Sequence, residues 1–312
     1  MTISIVERDL LHLRYKPKRS NFKDCTECPA FDLFDWVIWT PDDRRFQRFK
    51  SLRPATILCL AHPKSLRTLL KLKFLFKNAT LIIAGEDTHL SAVLSEVELL
   101  IPHCKKIFFE AKDIDHRSVH AFGMGFISFY LKRIGNEVII DLLGRIKENC
   151  WEKEGVLVAW GAIWNHLDEK LVDRQRAAWF VEKSDWLVRE ELGPGEYFQR
   201  LAASKFLLAP AGQGIQAPKL AEAWLMRTVP IVVRNPCFED LDRLGFPFVL
   251  LNNWEELTPK LLQDYENRRN SIKWNEVEKM LTLKHFKEEL LGKTAEHGAA
   301  PDGNSAASHC RR

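Results

Sequence analysis

The loop Pro210-Ala211-Gly212-Gln213-Gly214 separates an apolar run, Lys205–Ala209, from a segment of helical character, Pro218–Arg227, that carries Lys219 and Glu222. A buried strand, a glycine-containing turn and a helix start are the parts that cradle a bound diphosphate. The glycines let the backbone approach phosphate oxygens, and the first unbonded N–H groups of the helix point at them. Lys219 falls in the first helical turn and adds a cation there. Glu222, three residues on, shares its face. One cation for phosphate beside one carboxylate for hydroxyls suits a nucleotide-sugar donor. The competing account, a plain turn and a surface lysine–glutamate pair, is worth little in stability and leaves the order of the parts unexplained. Gln213 and Ile215 are weaker donor contacts within the same turn.

Further polar residues fall at strand ends. Trp160-Gly-Ala-Ile-Trp-Asn165 closes one apolar run, and Asn165 either bonds a phosphate or sugar hydroxyl or caps the helix that begins near Asp168. Arg174 and Arg176 lie on that helix, placed to reach phosphates or to face solvent. A transfer to a hydroxyl also needs a general base within hydrogen-bond reach of the acceptor. Ala84-Gly-Glu-Asp-Thr-His89 follows the apolar Thr80–Ile83 and offers Glu86, Asp87 and His89; a cap by Asp87 or Thr88 on Leu90–Leu100 accounts for the same residues equally well. His62 and His120 are further candidates. Asp113-Ile-Asp115 and Asp240-Leu-Asp242 both fit D-x-D, a pattern that holds a divalent metal on a donor diphosphate. Such matches arise readily by chance where 28% of residues are charged, and the second falls within a helical turn.

The elements that position these residues alternate. Strand-like runs at Phe34–Trp39, Thr56–Leu60, Thr80–Ala84 and Ile107–Glu110 are interleaved with amphipathic Ser65–Phe76 and Leu90–Leu100. Arg117–Gly125 reads as a loop or short strand, and Ile127–Asn149 as mainly helical. The pattern restarts with Val156–Trp160, helical Asp168–Lys183, Trp186–Arg189, helical Tyr197–Ala203, Phe206–Leu208, helical Leu220–Arg227, Pro230–Val233, Phe248–Leu251 and a helix over Trp254–Arg268. Continuous apolar strands between helices predict an α/β fold with parallel sheets covered on both faces. The charged Arg145–Glu154 divides it into two Rossmann-like domains facing a cleft, over 1–150 and 151–291. Ligands of such sheets sit at the carboxyl ends of the strands. Glu276–Leu291 reads as a surface helix with one apolar stripe. The Ala-, Gly- and Ser-rich 292–312 reads as a disordered tail.

Composition narrows the class. The chain has 312 residues, 46% of them hydrophobic, and a formal net charge of +4 from 46 basic and 42 acidic residues. That balance does not call for a nucleic-acid partner. The seven cysteines (25, 28, 59, 104, 150, 237 and 310) read as reduced thiols, and Cys25-Thr-Glu-Cys28 lacks a second pair at zinc-ribbon spacing. Cys59 and Cys150 read as small core residues. No run reaches a membrane span, and the charged Met1–Lys16 is not a secretory signal. A soluble, cytoplasmic protein is the expectation; an anchor missing from the sequence would make it a Golgi one, and peripheral membrane association stays open.

Gly195-Glu-Tyr-Phe-Gln-Arg-Leu-Ala-Ala-Ser-Lys-Phe-Leu-Leu-Ala-Pro-Ala-Gly-Gln-Gly, continued by Pro218-Lys-Leu-Ala-Glu-Ala-Trp and Thr228-Val-Pro-Ile-Val-Val, resembles the donor half of exostosin-like glycosyltransferases. Gly245-Phe-Pro-Phe-Val-Leu-Leu and Asn253-Trp-Glu-Glu-Leu continue the match. Val119-His-Ala-Phe-Gly-Met-Gly-Phe is similar to the segment where the family's first domain hands over to its second. Specific similarity spans about residues 185–260, and a looser match starts near 115. The resemblance implies a two-domain GT-B enzyme that inverts the anomeric centre, with no obligatory metal or cofactor beyond a nucleotide diphosphate sugar as donor and a glycan or glycoconjugate as acceptor. It places Gly212 and Gly214 at the diphosphate, Lys219 where the family has arginine, and Glu222 at the ribose hydroxyls. Lysine keeps the charge but not the bidentate fork. Phe122 stands where the family has proline. Two other classes stay open: a non-catalytic nucleotide-sugar-binding protein of this fold, and a metal-dependent GT-A-like transferase using Asp113 and Asp115.

Overall fold

Short β-branched and aromatic runs make the strands, and most are buried along their length. The computed structural model describes residues 29–39, 46–126, 136–148, 152–160, 172–212 and 214–292. Six strands among these residues form a mixed sheet: β1 (Trp36–Trp39), β2 (Phe46–Phe49), β3 (Thr56–Leu60), β4 (Ala79–Ala84), β5 (Cys104–Phe109) and β6 (Val119–His120), in the order β2-β1-β3-β4-β5-β6. β2 runs antiparallel to β1, with Trp36 opposite Phe49; the other pairs are parallel. A second, parallel sheet has the order β10-β9-β8-β7, from β7 (Glu154–Leu157), β8 (Ser204–Leu208), β9 (Val229–Val233) and β10 (Val249–Leu251).

Parallel strands need crossovers, and helices supply them. α1 (Pro63–Lys71) joins β3 to β4 and α2 (Leu94–Glu98) joins β4 to β5. α3 (Asn136–Lys147) precedes β7; α4 (Val172–Lys183) and α5 (Pro194–Ala203) lie between β7 and β8. α6 (Pro218–Leu225), α7 (Pro236–Arg243), α8 (Pro259–Asn270) and α9 (Trp274–Met280) follow. The strand order of the first sheet reverses at β1, which has antiparallel β2 on one side and parallel β3 on the other, whereas that of the second sheet runs one way among the described residues. Among the described residues no helix is long and apolar enough to cross a membrane.

Both faces of each sheet are covered. Ile57 and Cys59 of β3 face α1, through Leu66 and Leu69, in a core that continues without a break into Leu207 and Ala209 of the second sheet. Leu58 and Leu60 face the other way, onto Phe31, Phe34, Phe286 and Leu291. The end of the described chain therefore returns to the first sheet, with the Phe286 ring centre 6.1 Å from Phe34 and 6.3 Å from Phe122. Val158, Phe206 and Leu208 face α4 and α8 through Ala177, Val181 and Leu262. The three described cysteines, Cys59, Cys104 and Cys237, form no disulfides, and burial pushes the Cys104 thiol up to about 12.

Several elements depart from the pattern read in sequence. β2 was not foreseen, because Gln47 and Arg48 interrupt its apolar character at a sheet edge. Trp186–Arg189 is irregular rather than a strand. The helix expected over Trp254–Arg268 is a turn, Trp254–Glu256, and then α8, since Pro259 takes the first helical position and the Thr258 hydroxyl accepts the Leu261 N–H at 3.2 Å. Glu276–Leu291 likewise breaks after Met280, where the Thr282 hydroxyl accepts the His285 N–H at 3.2 Å. α3 packs through Ile139, Leu142 and Ile146 into the shared core, in contact with α5. Residues 293–312 and Cys25, Cys28, Cys150 and Cys310 lie outside the described residues.

Two buried polar groups lock the halves together. The Gln216 amide donates to the carbonyls of Glu110 at 2.7 Å and Phe122 at 2.8 Å, while its oxygen accepts the Met124 N–H at 3.1 Å. The Asp240 carboxylate accepts from Lys112 at 2.7 Å, the Ala121 N–H at 2.9 Å and Arg243 at 2.6 Å. Lys112 is 2% exposed and Asp240 8% exposed, so removing either leaves a charge in the interior. Asp240→Ala is expected to lower the unfolding free energy in urea by about 3–5 kcal/mol, and Asp240→Leu with Lys112→Met to recover most of it. A loss below about 1 kcal/mol in the single variant would show the pair to be unimportant.

Candidate functional site

β7 and β8 end side by side, and the chain beyond them walls a cavity of about 590 Å³. That is the size of a small-molecule site, and it lies at the carboxyl ends of parallel strands. Ala159 and Trp160 form one wall, Ala209 and Pro210 another, and Tyr197 and Phe198 of α5 a third. Ala217 and Pro218 bring in the start of α6. No side chain caps this helix: Ala217 is its N-cap and Pro218 its first residue. An uncapped N-terminus carries partial positive charge and suits an anion.

Lys219 and Glu222 both line this cavity, as their helical spacing requires. The Lys219 ammonium donates to the Ala159 carbonyl and sits 5.3 Å from the centre of the Tyr197 ring. Glu222 is 6% exposed, and burial raises its pKa against the opposing pull of Lys219 and the Tyr197 hydroxyl. Burial lowers the pKa of Lys219; Glu222 opposes this, while Arg174 and Arg189 add to it. The Tyr197 hydroxyl, although near enough to Glu222 to influence it, completes no hydrogen bond of ordinary geometry.

Arg174 from α4 and Arg189 from the irregular segment after it join the lining, together with Glu190, which pairs with Arg200 at 2.6 Å, and Glu191, 3.5 Å from Arg189. The Arg189 guanidinium lies 5.7 Å from the Trp160 ring centre. Four buried polar atoms of this lining have no hydrogen-bond partner among the described residues: Trp160 Nε1, Arg174 Nε, Arg189 Nε and the Tyr197 hydroxyl. Buried polar groups are normally satisfied, because an orphan costs about 1–3 kcal/mol. Three of these four can only donate, so acceptor oxygens are the groups that would pair with them.

The glycine loop differs from the cradle expected. The Gly212 N–H donates to the Gly214 carbonyl at 3.2 Å, and the Ala211 N–H to Asp173 at 2.8 Å. The other Asp173 oxygen accepts the Trp254 indole N–H at 2.8 Å. Two loop N–H groups expected at the phosphate are thus already spent on the fold. Gly212 has a different reason to be glycine: a Cβ there would stand 2.5 Å from the Arg174 Nη2. The missing side chain makes room for the guanidinium. Gln213 and Asn165 lie outside the described residues.

The acidic and histidine candidates stand elsewhere. Glu86, Asp87 and His89 sit at the carboxyl end of β4 and do not line the cavity. Their loop reaches the donor side indirectly: the Gly85 N–H donates to Glu110 at 2.7 Å, and the Glu110 carbonyl accepts from Gln216. The capping account of Asp87 and Thr88 is not realised, since His89 holds the N-cap position and makes no side-chain cap. Asp113 serves instead, accepting the Ser91 N–H at 2.9 Å and the Ser91 hydroxyl, with the His89 ring nitrogen 3.8 Å away. Asp115 is 3.6 Å from Lys112, and Asp242 is 4.0 Å from Arg268. No group of three metal-ligating side chains forms among the described residues. His62 caps α1 by accepting the Lys64 N–H at 3.2 Å, and His120 is an exposed residue of β6. Trp160 opens the segment expected at the cleft and lines the cavity, whereas Arg189 and Tyr197 were not singled out in the sequence; the tertiary fold brings all three together.

No protein-family model matches the chain, and a comparison with characterised proteins finds no significant similarity.

Gly212→Ala is expected to leave the unfolding free energy within about 1 kcal/mol of the parent, since a mobile guanidinium yields, while nucleoside diphosphate affinity drops severalfold. Equal affinity in titration calorimetry would remove Arg174 from the site. A bound anion raises the pKa of both Lys219 and Glu222, so binding takes up protons and weakens as pH rises above neutrality. Calorimetry in buffers of different ionisation enthalpy reads this directly; proton release on binding would contradict it.

Proposed function

We propose that this chain is a glycosyltransferase of GT-B type that moves a sugar from a nucleotide diphosphate sugar to a glycan or glycoconjugate hydroxyl. One observation carries the reading: Lys219, Glu222 and two arginines line one cavity whose unpaired groups are nearly all donors. The resemblance of residues 185–260 to exostosin-like enzymes supports it. On this reading Lys219, Arg174, Arg189 and the start of α6 hold the diphosphate, and Glu222 takes the ribose hydroxyls. The acceptor oxygen attacks the anomeric carbon as the bond to the diphosphate breaks, inverting the centre. The nucleoside diphosphate leaves with the electron pair, against cations already in place. The acceptor proton passes to a base drawn from Glu86, Asp87 and His89, with no obligatory metal.

A second reading has one observation in its favour. The candidate bases do not line the cavity, which fits a nucleotide-sugar-binding protein without transfer activity. Incubating the protein with a panel of nucleotide sugars, with and without EDTA, and measuring nucleotide release separates these. Release that EDTA leaves intact is the expected result. Tight binding without release would establish the binding protein, and loss of release in EDTA a metal enzyme. Lys219→Met is expected to weaken nucleoside diphosphate binding roughly 10–100-fold, the worth of a hydrogen bond to a charged group. Unchanged binding in both Lys219→Met and Glu222→Gln would end the assignment.

A further inference from the structure

Five of the eight large apolar side chains exposed among the described residues gather at one end of the first sheet. Leu52 (91% exposed) precedes β3, Phe74 (82%) and Leu75 precede β4, and Leu99 precedes β5. These strands are parallel, so the segments leading into them emerge on one side. Phe49 joins them, because β2 is antiparallel and ends opposite Trp36. Beneath the surface, ring contacts through the buried Trp36 and Phe76 link the two exposed phenylalanines: Phe49 to Trp36 at 5.1 Å, Trp36 to Phe76 at 5.8 Å, Phe76 to His103 at 6.0 Å and His103 to Phe74 at 6.3 Å. The Trp36 indole also donates to the carbonyl of Ser51, beside Leu52, at 2.6 Å.

Cations are interleaved with these side chains. Lys50 and Arg53 flank Leu52; Lys71, Lys73 and Lys77 surround Phe74 and Leu75; Lys105 and Lys106 begin β5 just beyond Leu99. Lys50 is 3.6 Å from Asp32, and the other six make no ion pair among the described residues. The nearby acids are Asp32, held by Arg48 at 2.8 Å, Asp35, which accepts the Ala55 and Thr56 N–H groups at 2.8 and 2.9 Å, Glu96, 3.5 Å from Arg67, and Glu98. The opposite end of the sheet, where Glu110 meets Gln216, faces the second half.

We propose that this end of the first sheet docks on an anionic lipid surface. Exposed leucines and phenylalanine can enter the headgroup region while the flexible lysines meet lipid phosphates and carboxylates, the pairing that peripheral membrane proteins need. Three of the five exposed side chains, Leu52, Leu75 and Leu99, are aliphatic and offer a nucleic-acid base no ring to stack on. Docking here turns the donor cavity away from the bilayer and does not depend on what that cavity binds.

The test sediments the full chain with vesicles of phosphatidylcholine alone and with vesicles in which phosphatidylserine replaces part of it. The chain should pellet with the second kind and detach as salt is raised. Phe74→Ser with Leu75→Ser should weaken binding on the order of tenfold or more. Lys71→Glu, Lys73→Glu and Lys77→Glu together should abolish it, with circular dichroism and nucleotide binding unchanged. The proposal fails if neither vesicle binds, or if both variants pellet like the parent. It also fails if the Phe74→Ser, Leu75→Ser variant instead breaks a dimer in ultracentrifugation, which would give the face to a second copy.

Discussion

The buried carboxamide of Gln216 is the joint on which the arrangement of this protein rests. Its three hydrogen bonds run to Glu110, Phe122 and Met124, all in the first half of the chain, while its own backbone belongs to the segment that leads into α6. An amide in the interior is tolerated only when its donors and acceptor are met together, which a single relative placement achieves. Gln216 thereby fixes where α6 begins, and with it Lys219 and Glu222. Asp240, in α7, repeats the device one helix later, answering Lys112 and the Ala121 N–H. Apolar contacts supply the bulk of the adhesion between the sheets, but they are indifferent to small slides. These polar contacts set the register.

The cavity shows what that register is for. Three cationic side chains meet around a space bounded by apolar walls, and like charges in such a place repel one another. Glu222 offsets part of this for Lys219, and the Ala159 carbonyl accepts a hydrogen bond from its ammonium. Arg174 threads past Gly212, and Arg189 lies over Trp160. What remains unmatched is a set of donors without acceptors, an arrangement a folded protein keeps only at some cost.

Much of the fold could be read from residue order because buried parallel strands announce themselves. Ile57–Leu60, Leu81–Ala84 and Phe206–Leu208 are apolar on both faces, and they became β3, β4 and β8. β2 was hidden because Gln47 and Arg48 lie at an edge that water can reach. Trp186–Arg189 misled for the opposite reason: Trp186 and Leu187 pack, yet the segment is irregular, with Val188 exposed and Arg189 at the cavity. At the site, Lys219 and Glu222 were legible because helical spacing is local information. Arg189, Tyr197 and Trp160 come from three separate stretches, so their convergence is a property of the fold. Gly212 was found for one reason and is needed for another. Proximity to a guanidinium nearly 40 residues away in sequence leaves no local mark.

Phe286 and Leu291 close one face of the first sheet, and this has a consequence for the order in which the protein is made. Strands β3 and β4 leave the ribosome early, with Leu58, Leu60 and Ile82 on a face whose cover has yet to be synthesised. At ordinary elongation speeds that cover arrives on the order of ten seconds or more later. Until then that aromatic and aliphatic surface is only partly shielded, among the described residues, by Phe31, Leu33, Phe34 and Phe122. The first sheet, although encoded first, is completed last.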